Sequence, residues 1–258
     1  METAEELESV IASDARRALA LILLPLLDLT SLGEDDTPTQ IETLCASALA
    51  GPVLPAAVCI YPEHITTARR SLQGSDVRIA TVVNFPDGSS SRERVVRETR
   101  RALAVGANEI DLVLPRNLDT PADRLAAQRL VGACREICGS GITLKLILET
   151  GLLQTPQRIR AACAAGLAEG VDFLKTSTGK AAVNATLEAS AIMLEAIAAH
   201  GGRCGIKVAG GIRTLAQAES YLTQATEKFG TSWATPMHFR IGASSLFGEL
   251  VAASSPKL

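Results

Sequence analysis

Eight short aliphatic runs recur along the chain, each followed by a polar turn and a stretch with helical patterning. They are LLPLLDL (23–29), AAVCIYP (56–62), RIATVVNF (78–85), EIDLVLP (109–115), TLKLILE (143–149), VDFLKTS (171–177), GIKVAGG (205–211) and HFRIGAS (238–244). The helical stretches between them carry their own punctuation. Thr37, Thr120 and Thr155 each precede a proline, the order expected of an N-cap followed by Pro at the first helical position. Ser90 and Glu93 have capping-box spacing. Gly51, Gly106, Gly170 and Gly201 stand where helices end in a left-handed residue. Buried strands that alternate with helices pair in parallel, and eight such units close into a (β/α)8 barrel, the TIM-barrel architecture. An open doubly wound sheet is the alternative, but no Gly-rich dinucleotide fingerprint follows the first strand. Residues ahead of the first run form an extra N-terminal helix, expected to cap the base of the barrel.

Composition agrees with one TIM-barrel domain over 1–258. The chain has 258 residues, 47% of them hydrophobic and only 3% aromatic, so the core is aliphatic. A net charge of −3 excludes a broadly basic nucleic-acid binder. Cys45, Cys59, Cys134, Cys138, Cys163 and Cys204 form no CxxC pair and have no histidine beside them, so packing is their expected role and no metal site is expected. Reduced thiols point to the cytoplasm. Arg16-Arg17 and the following ALALILLPLL imitate a signal peptide. However, acidic residues precede them, no small-residue cleavage site follows, and Pro25 interrupts a run too short to span a bilayer.

Alternation along the strands turns charges inward. If Ile110, Leu112 and Leu114 face the helices, Asp111 faces the barrel axis; by the same rule Lys145, Glu149, Cys59 and Lys207 point in. Val171, Phe173 and Lys175 share the inner face of VDFLKTSTGK. Asp111, Lys145, Lys175 and Lys207 thus converge from four adjacent strands on a space usually filled by Val, Ile and Leu. The amines outnumber the aspartate and read as largely unpaired.

A lysine at its reference pKa of ~10.4 is protonated at neutral pH and cannot attack a carbonyl. A second ammonium at about 5 Å, at an effective dielectric near 20, supplies on the order of 3 kcal/mol of the depression required. Lys175 is assigned as the nucleophile, Lys207 as its activator and Asp111 as proton carrier. Spacing alone also permits Lys175 and Lys207 to exchange roles. Three late loops, Thr178-Gly179-Lys180, Gly210-Gly211-Ile212-Arg213 and Gly242-Ala243-Ser244-Ser245, combine glycine, hydroxyl and positive charge. Such loops, with the helices that follow, form anion sites at the rim of barrels. His64, His200 and His238 form no constellation.

With these segments placed, the chain resembles the deoxyribose-phosphate aldolase family of class I aldolases. LDLTSL, VCIYP, RIATVVNFP, GANEIDLVLP, LKLILETG, DFLKTSTGK, KVAGGIR and RIGASSL carry the resemblance, in order, over nearly the whole chain. It implies a TIM barrel that reversibly cleaves 2-deoxy-D-ribose 5-phosphate to glyceraldehyde 3-phosphate and acetaldehyde, with no metal or organic cofactor. Lys175 matches the Schiff-base lysine, Lys207 its partner and Asp111 the proton-relay aspartate. Asp28, Thr30 and Cys59 match pocket-lining positions, while Gly179, Lys180, Gly210, Gly211, Gly242, Ser244 and Ser245 match phosphate-binding ones. Lys145, Thr178 and Arg213 join the candidate substrate site. Val208 replaces the Pro or Ala of several members, on the helix-facing side. SSPKL carries no tyrosine of the kind some members use in proton transfer, leaving Asp111 and water as the expected relay.

The expected partners are small sugar phosphates and aldehydes, with neither nucleic acid nor membrane; a homodimer is the expected assembly. A phosphate-binding barrel isomerase without a covalent step and a non-catalytic sugar-phosphate binder are the competing readings.

Overall fold

The computed structural model describes residues 4–89 and 91–255. Ser90 and the last three residues of SSPKL lie outside that range. Eight parallel strands form a closed barrel in chain order: β1 (Leu27–Ser31), β2 (Ala57–Ile60), β3 (Arg78–Val83), β4 (Glu109–Val113), β5 (Thr143–Ile147), β6 (Phe173–Lys175), β7 (Gly205–Ala209) and β8 (Phe239–Ala243). Pairing of β8 with β1, where Gly242 lies opposite Asp28, closes the sheet and removes the open-sheet alternative. The helices are α1 (Ala4–Leu23), α2 (Pro38–Ala50), α3 (Ile65–Ser71), α4 (Arg92–Val105), α5 (Pro121–Cys138), the single turn α6 (Thr150–Leu153), α7 (Pro156–Ala168), α8 (Leu187–Ala199), α9 (Leu215–Phe229) and α10 (Leu246–Ser254).

The two faces of the strands diverge as alternation requires. Ile110, Leu112, Leu114, Leu144, Leu146, Leu148, Leu174, Ile206 and Val208 join the aliphatic core between barrel and helices. At roughly 25 cal/mol per Å² of apolar surface removed from water, this layer is the main source of stability. Thr37, Thr120 and Thr155 cap their helices through side-chain oxygens that accept backbone N–H bonds, each ahead of a proline. Thr186 and Thr214 cap α8 and α9 in the same way without the proline signal. Ser91 caps α4 by accepting from the Arg94 amide.

Several expected boundaries shift. The first strand begins at Leu27 rather than Leu23, because Pro25 lies in a buried 3-10 turn over Leu24–Leu26 that links α1 to β1. β6 is three residues long; beyond it the chain forms an irregular loop to Thr186. Gly106, Gly170 and Gly201 have positive φ, whereas Gly51 at φ −68° is extended and any residue could adopt its backbone conformation. The N-terminal helix packs chiefly along α10 and joins the outer ring rather than the base of the barrel. Arg16 pairs with Glu249 at 3.1 Å, and the Arg17 guanidinium donates to the Ser254 carbonyl at 3.0 Å. Among the described residues, no helix is long and apolar enough to cross a membrane.

Candidate active site

Inside the barrel, the inner faces divide into two halves. From β2 and β3, Ala57, Cys59, Ala80 and Val82 form a small apolar wall with Leu32, against which Tyr61 and Phe85 pack. The remaining strands contribute one connected network of buried charges: Asp28, Glu109, Asp111, Lys145, Lys175, Lys207 and Arg240. Glu109 and Arg240 belong to it although only their neighbours were singled out in the sequence. Their signal was present, since Glu109 shares a strand face with Asp111 and Arg240 with Gly242.

Lys207 Nζ donates to Asp28 Oδ2 at 2.5 Å and to Asp111 Oδ2 at 2.7 Å. Lys145 donates to Glu109 and, at 3.0 Å, to Asp111 Oδ1. Arg240 reaches Asp28 Oδ1 at 2.5 Å and Glu109 Oε1 at 3.2 Å, with its guanidinium 5.6 Å from the centre of the Phe173 ring. Lys175 Nζ has one carboxylate partner, Asp111 Oδ2 at 2.7 Å. The amines are therefore paired, contrary to the expectation of unpaired lysines, and a single carboxylate oxygen bridges Lys175 and Lys207. Their nitrogens are no farther apart than twice 2.7 Å.

The distribution is asymmetric. Four buried cations meet three carboxylates, and each except Lys175 pairs with two or more of them; the exposed Arg78 also lies 3.9 Å from Glu109. Burial pushes Lys175 below its ordinary pKa, the ammonium of Lys207 adds to that depression, and Asp111 opposes it. Desolvation is thus the largest contribution, ahead of the neighbouring charge that the sequence suggested. Burial acts on Lys207 too, but Asp111 and Asp28 outweigh it and hold that amine well above its ordinary value. Lys145 is raised as well; burial opposes this, and Asp111 and Glu109 prevail. Asp111 lies well below the usual carboxylate range because three surrounding lysines overcome its desolvation.

A cavity of about 890 Å³ opens above this network at the C-terminal ends of the strands, and Lys175 is the one lysine of the network in its wall. Thr30, Thr178, Gly179, Lys180, Gly210, Gly211, Arg213, Gly242, Ser244 and Ser245 also line it. Asp28, Cys59, Lys145, Asp111 and Lys207 lie beneath or beside it, enclosed. The Cys59 thiol, 3.8 Å from Asp111 Oδ2, is pushed up in pKa by burial, which disfavours the thiolate.

Gly179, Gly210 and Gly211 have φ of 84°, 87° and 83°, a region that favours glycine. Gly242 serves space instead: a Cβ there would stand 3.0 Å from Lys207 Cε. The three loops do not all lead into helix N-termini. Two of them do: Gly210-Gly211-Ile212-Arg213 runs into Thr214, the N-cap of α9, and Ser244-Ser245 runs into α10, whose first turn has no side-chain cap. At α9, Thr214 and Gln217 form a capping box and Glu249 accepts the Leu215 amide at 3.0 Å, while α8 starts seven residues beyond Lys180. Lys180 Nζ donates to the Leu32 carbonyl at 2.7 Å, linking the loops after β6 and β1. His64, His200 and His238 do not line the cavity, and among the described residues no cluster of three or more His, Cys, Asp or Glu is placed to hold a metal.

Comparison with known proteins agrees with this geometry. Residues 22–246 match the model of the DeoC/LacD family aldolases. A deoxyribose-phosphate aldolase of Agrobacterium fabrum is 46% identical over 237 residues, which cover 91% of each chain. A candidate deoxyribose-phosphate aldolase structure from Toxoplasma gondii ME49 superposes with a TM-score of 0.86 at 25% identity, covering 94% of this chain and 96% of that one. Another from Coccidioides immitis reaches 0.77 at 26% identity, over 94% and 95% of the two chains.

Proposed function

We propose that this chain, which belongs to the DeoC/LacD family of aldolases, reversibly cleaves 2-deoxy-D-ribose 5-phosphate to D-glyceraldehyde 3-phosphate and acetaldehyde through a Schiff base on Lys175. One observation carries the choice of nucleophile: among four buried cations, Lys175 alone meets a single carboxylate and faces the cavity. Release of its proton leaves three buried cations against three buried carboxylates, so the neutral amine is the form that balances the buried network. Lys207, held by two carboxylates, stays charged and disfavours reprotonation of Lys175.

The free amine of Lys175 adds to C1 of the open-chain sugar, and loss of water gives the iminium. The iminium draws in the electron pair of the C2–C3 bond as the C3 hydroxyl gives up its proton. Glyceraldehyde 3-phosphate departs, leaving an enamine that takes a proton at C2. Water then hydrolyses the imine and acetaldehyde leaves. Asp111, bonded to both lysines, carries protons with water between amine and substrate. Gly179, Lys180, Gly210, Gly211, Arg213, Gly242, Ser244 and Ser245, with the uncapped start of α10, receive the phosphate. Thr30 lies on the cavity wall, while Asp28 and Lys145 hold the charges below it, and Cys59 belongs to the apolar wall. Six buried free cysteines suit a cytoplasmic enzyme, and a homodimer acting on small molecules completes the reading.

Borohydride reduction in the presence of acetaldehyde tests it. A two-carbon adduct on Lys175 is expected by peptide mass spectrometry. An adduct only on Lys207, or none, overturns the assignment.

A further inference from the structure

We infer that Glu149 is the positioning residue for the phosphate end of the site, holding the Thr178-Gly179-Lys180 turn in the shape that receives substrate; this rests on the aldolase reading above. Glu149 combines two features that are each costly. It is fully buried, with no cation in ion-pairing range among the described residues, and its φ of 57° is a left-handed conformation that a residue with a Cβ seldom adopts. Such strain persists where the surroundings over-determine it, and it gathers at functional sites.

The use of the carboxylate accounts for both. Thr178 Oγ1 donates to Glu149 Oε2 at 2.5 Å, and the Thr178 amide points at the same carboxylate at 3.3 Å and 3.4 Å. Thr178 Oγ1 in turn accepts from the Lys180 amide at 3.0 Å. Both donors of Thr178 are therefore committed away from substrate, although the residue lines the cavity. It acts as a strut, leaving the Gly179 amide and the Lys180 ammonium as the groups this turn can offer an anion.

The left-handed bend at Glu149 also brings the next two residues onto the same loop. Thr150 donates its amide to the Thr176 carbonyl at 2.9 Å, and the Val183 carbonyl sits where a Cβ on Gly151 would lie, 2.0 Å from it. Residues 176–186 have no regular structure of their own, and the Glu-Thr-Gly turn supports them together with the bonds of Thr176 to Ala209 and of Lys180 to Leu32.

The test compares kcat/KM for 2-deoxyribose 5-phosphate with that for unphosphorylated 2-deoxyribose. Glu149→Ala is expected to lower this ratio about tenfold or more, through a raised KM for the phosphorylated sugar, as loss of a hydrogen bond to a charged group implies. Thr178→Val should do the same and decides the matter if Glu149→Ala does not fold. Glu149→Gln, which keeps an acceptor for Thr178, should retain most of the preference. An unchanged ratio in the folded variants, or an equal loss with both sugars, overturns the role of Glu149. A wild-type enzyme that neither traps acetaldehyde nor cleaves the phosphorylated sugar overturns the aldolase reading instead.

Discussion

Lys175 and Lys207 are chemically identical side chains on paired strands, opposite each other in register, and their surroundings alone make them different. Replacing Lys207 with Met removes the fixed positive charge while keeping an unbranched chain of similar volume. One charge at this range, at an effective dielectric near 20, is worth on the order of 3 kcal/mol, so the acidic limb of the kcat/KM profile should move up by about two pH units. A pH–rate profile that stays in place would remove Lys207 from the activation of Lys175. Alternation identified the inward position of both lysines and of Asp111. It could not identify partners, because a strand pattern gives the face of a residue but not its height along the barrel axis or the reach of its side chain. Hence Asp28, matched by its motif to the pocket lining, lies in the network beneath the cavity, and Glu109 and Arg240 went unnoticed.

At the level of elements, close approach between neighbours decides what a position tolerates. Gly205 at the start of β7 faces the Phe173 ring of β6 and the His238 carbonyl just before β8; a Cβ would come within 2.6 Å of each. Backbone on one side and a buried ring on the other leave little room to yield. Gly205→Ala should therefore lower unfolding free energy by about 1–3 kcal/mol, measured by urea denaturation. Stability equal to the parent would mean that the β6–β8 corner relaxes freely. Strand identity was readable because buried aliphatic runs recur between capped helices. Strand ends were not: β6 stops at Lys175 because the chain turns off to form the loop held by Glu149. The docking of α1 on α10 was equally hidden, since it depends on Arg16 and Arg17 finding Glu249 and Ser254 from the far end of the chain.

For the molecule as a whole, the interior charges link folding to pH at both extremes. Asp28 is held below its usual value of 3.8 by Lys207, Lys145 and Arg240, which together overcome its desolvation, and Asp111 is likewise depressed. A depressed carboxyl adds stability above the unfolded value that is lost as pH falls toward the folded one. Lys207 and Lys145, raised above 10.5, add stability below that value that is lost as pH rises through their folded values. Lys175 has the opposite sign: its depressed pKa costs stability at lower pH, and that cost fades as pH rises toward 10.5. The melting temperature should fall steeply below about pH 4, and Asp28→Asn should flatten that limb while starting from a lower value, since an unpaired buried charge costs roughly 3–5 kcal/mol. Parallel acid limbs for parent and variant would take Asp28 out of the linkage.

The excess of one cation over the carboxylates has a consequence for turnover. An iminium on Lys175 carries the same positive charge as the protonated amine, so the covalent intermediate reproduces the four-to-three excess that the neutral attacking amine had relieved. The other six charges face the same field in both states and need no reshuffling as the sugar is captured. Apart from the protons that Asp111 and water pass on, what varies through the cycle is confined to one nitrogen and the cavity above it, which lets a rigid interior serve a reaction that repeatedly creates and discharges a cation.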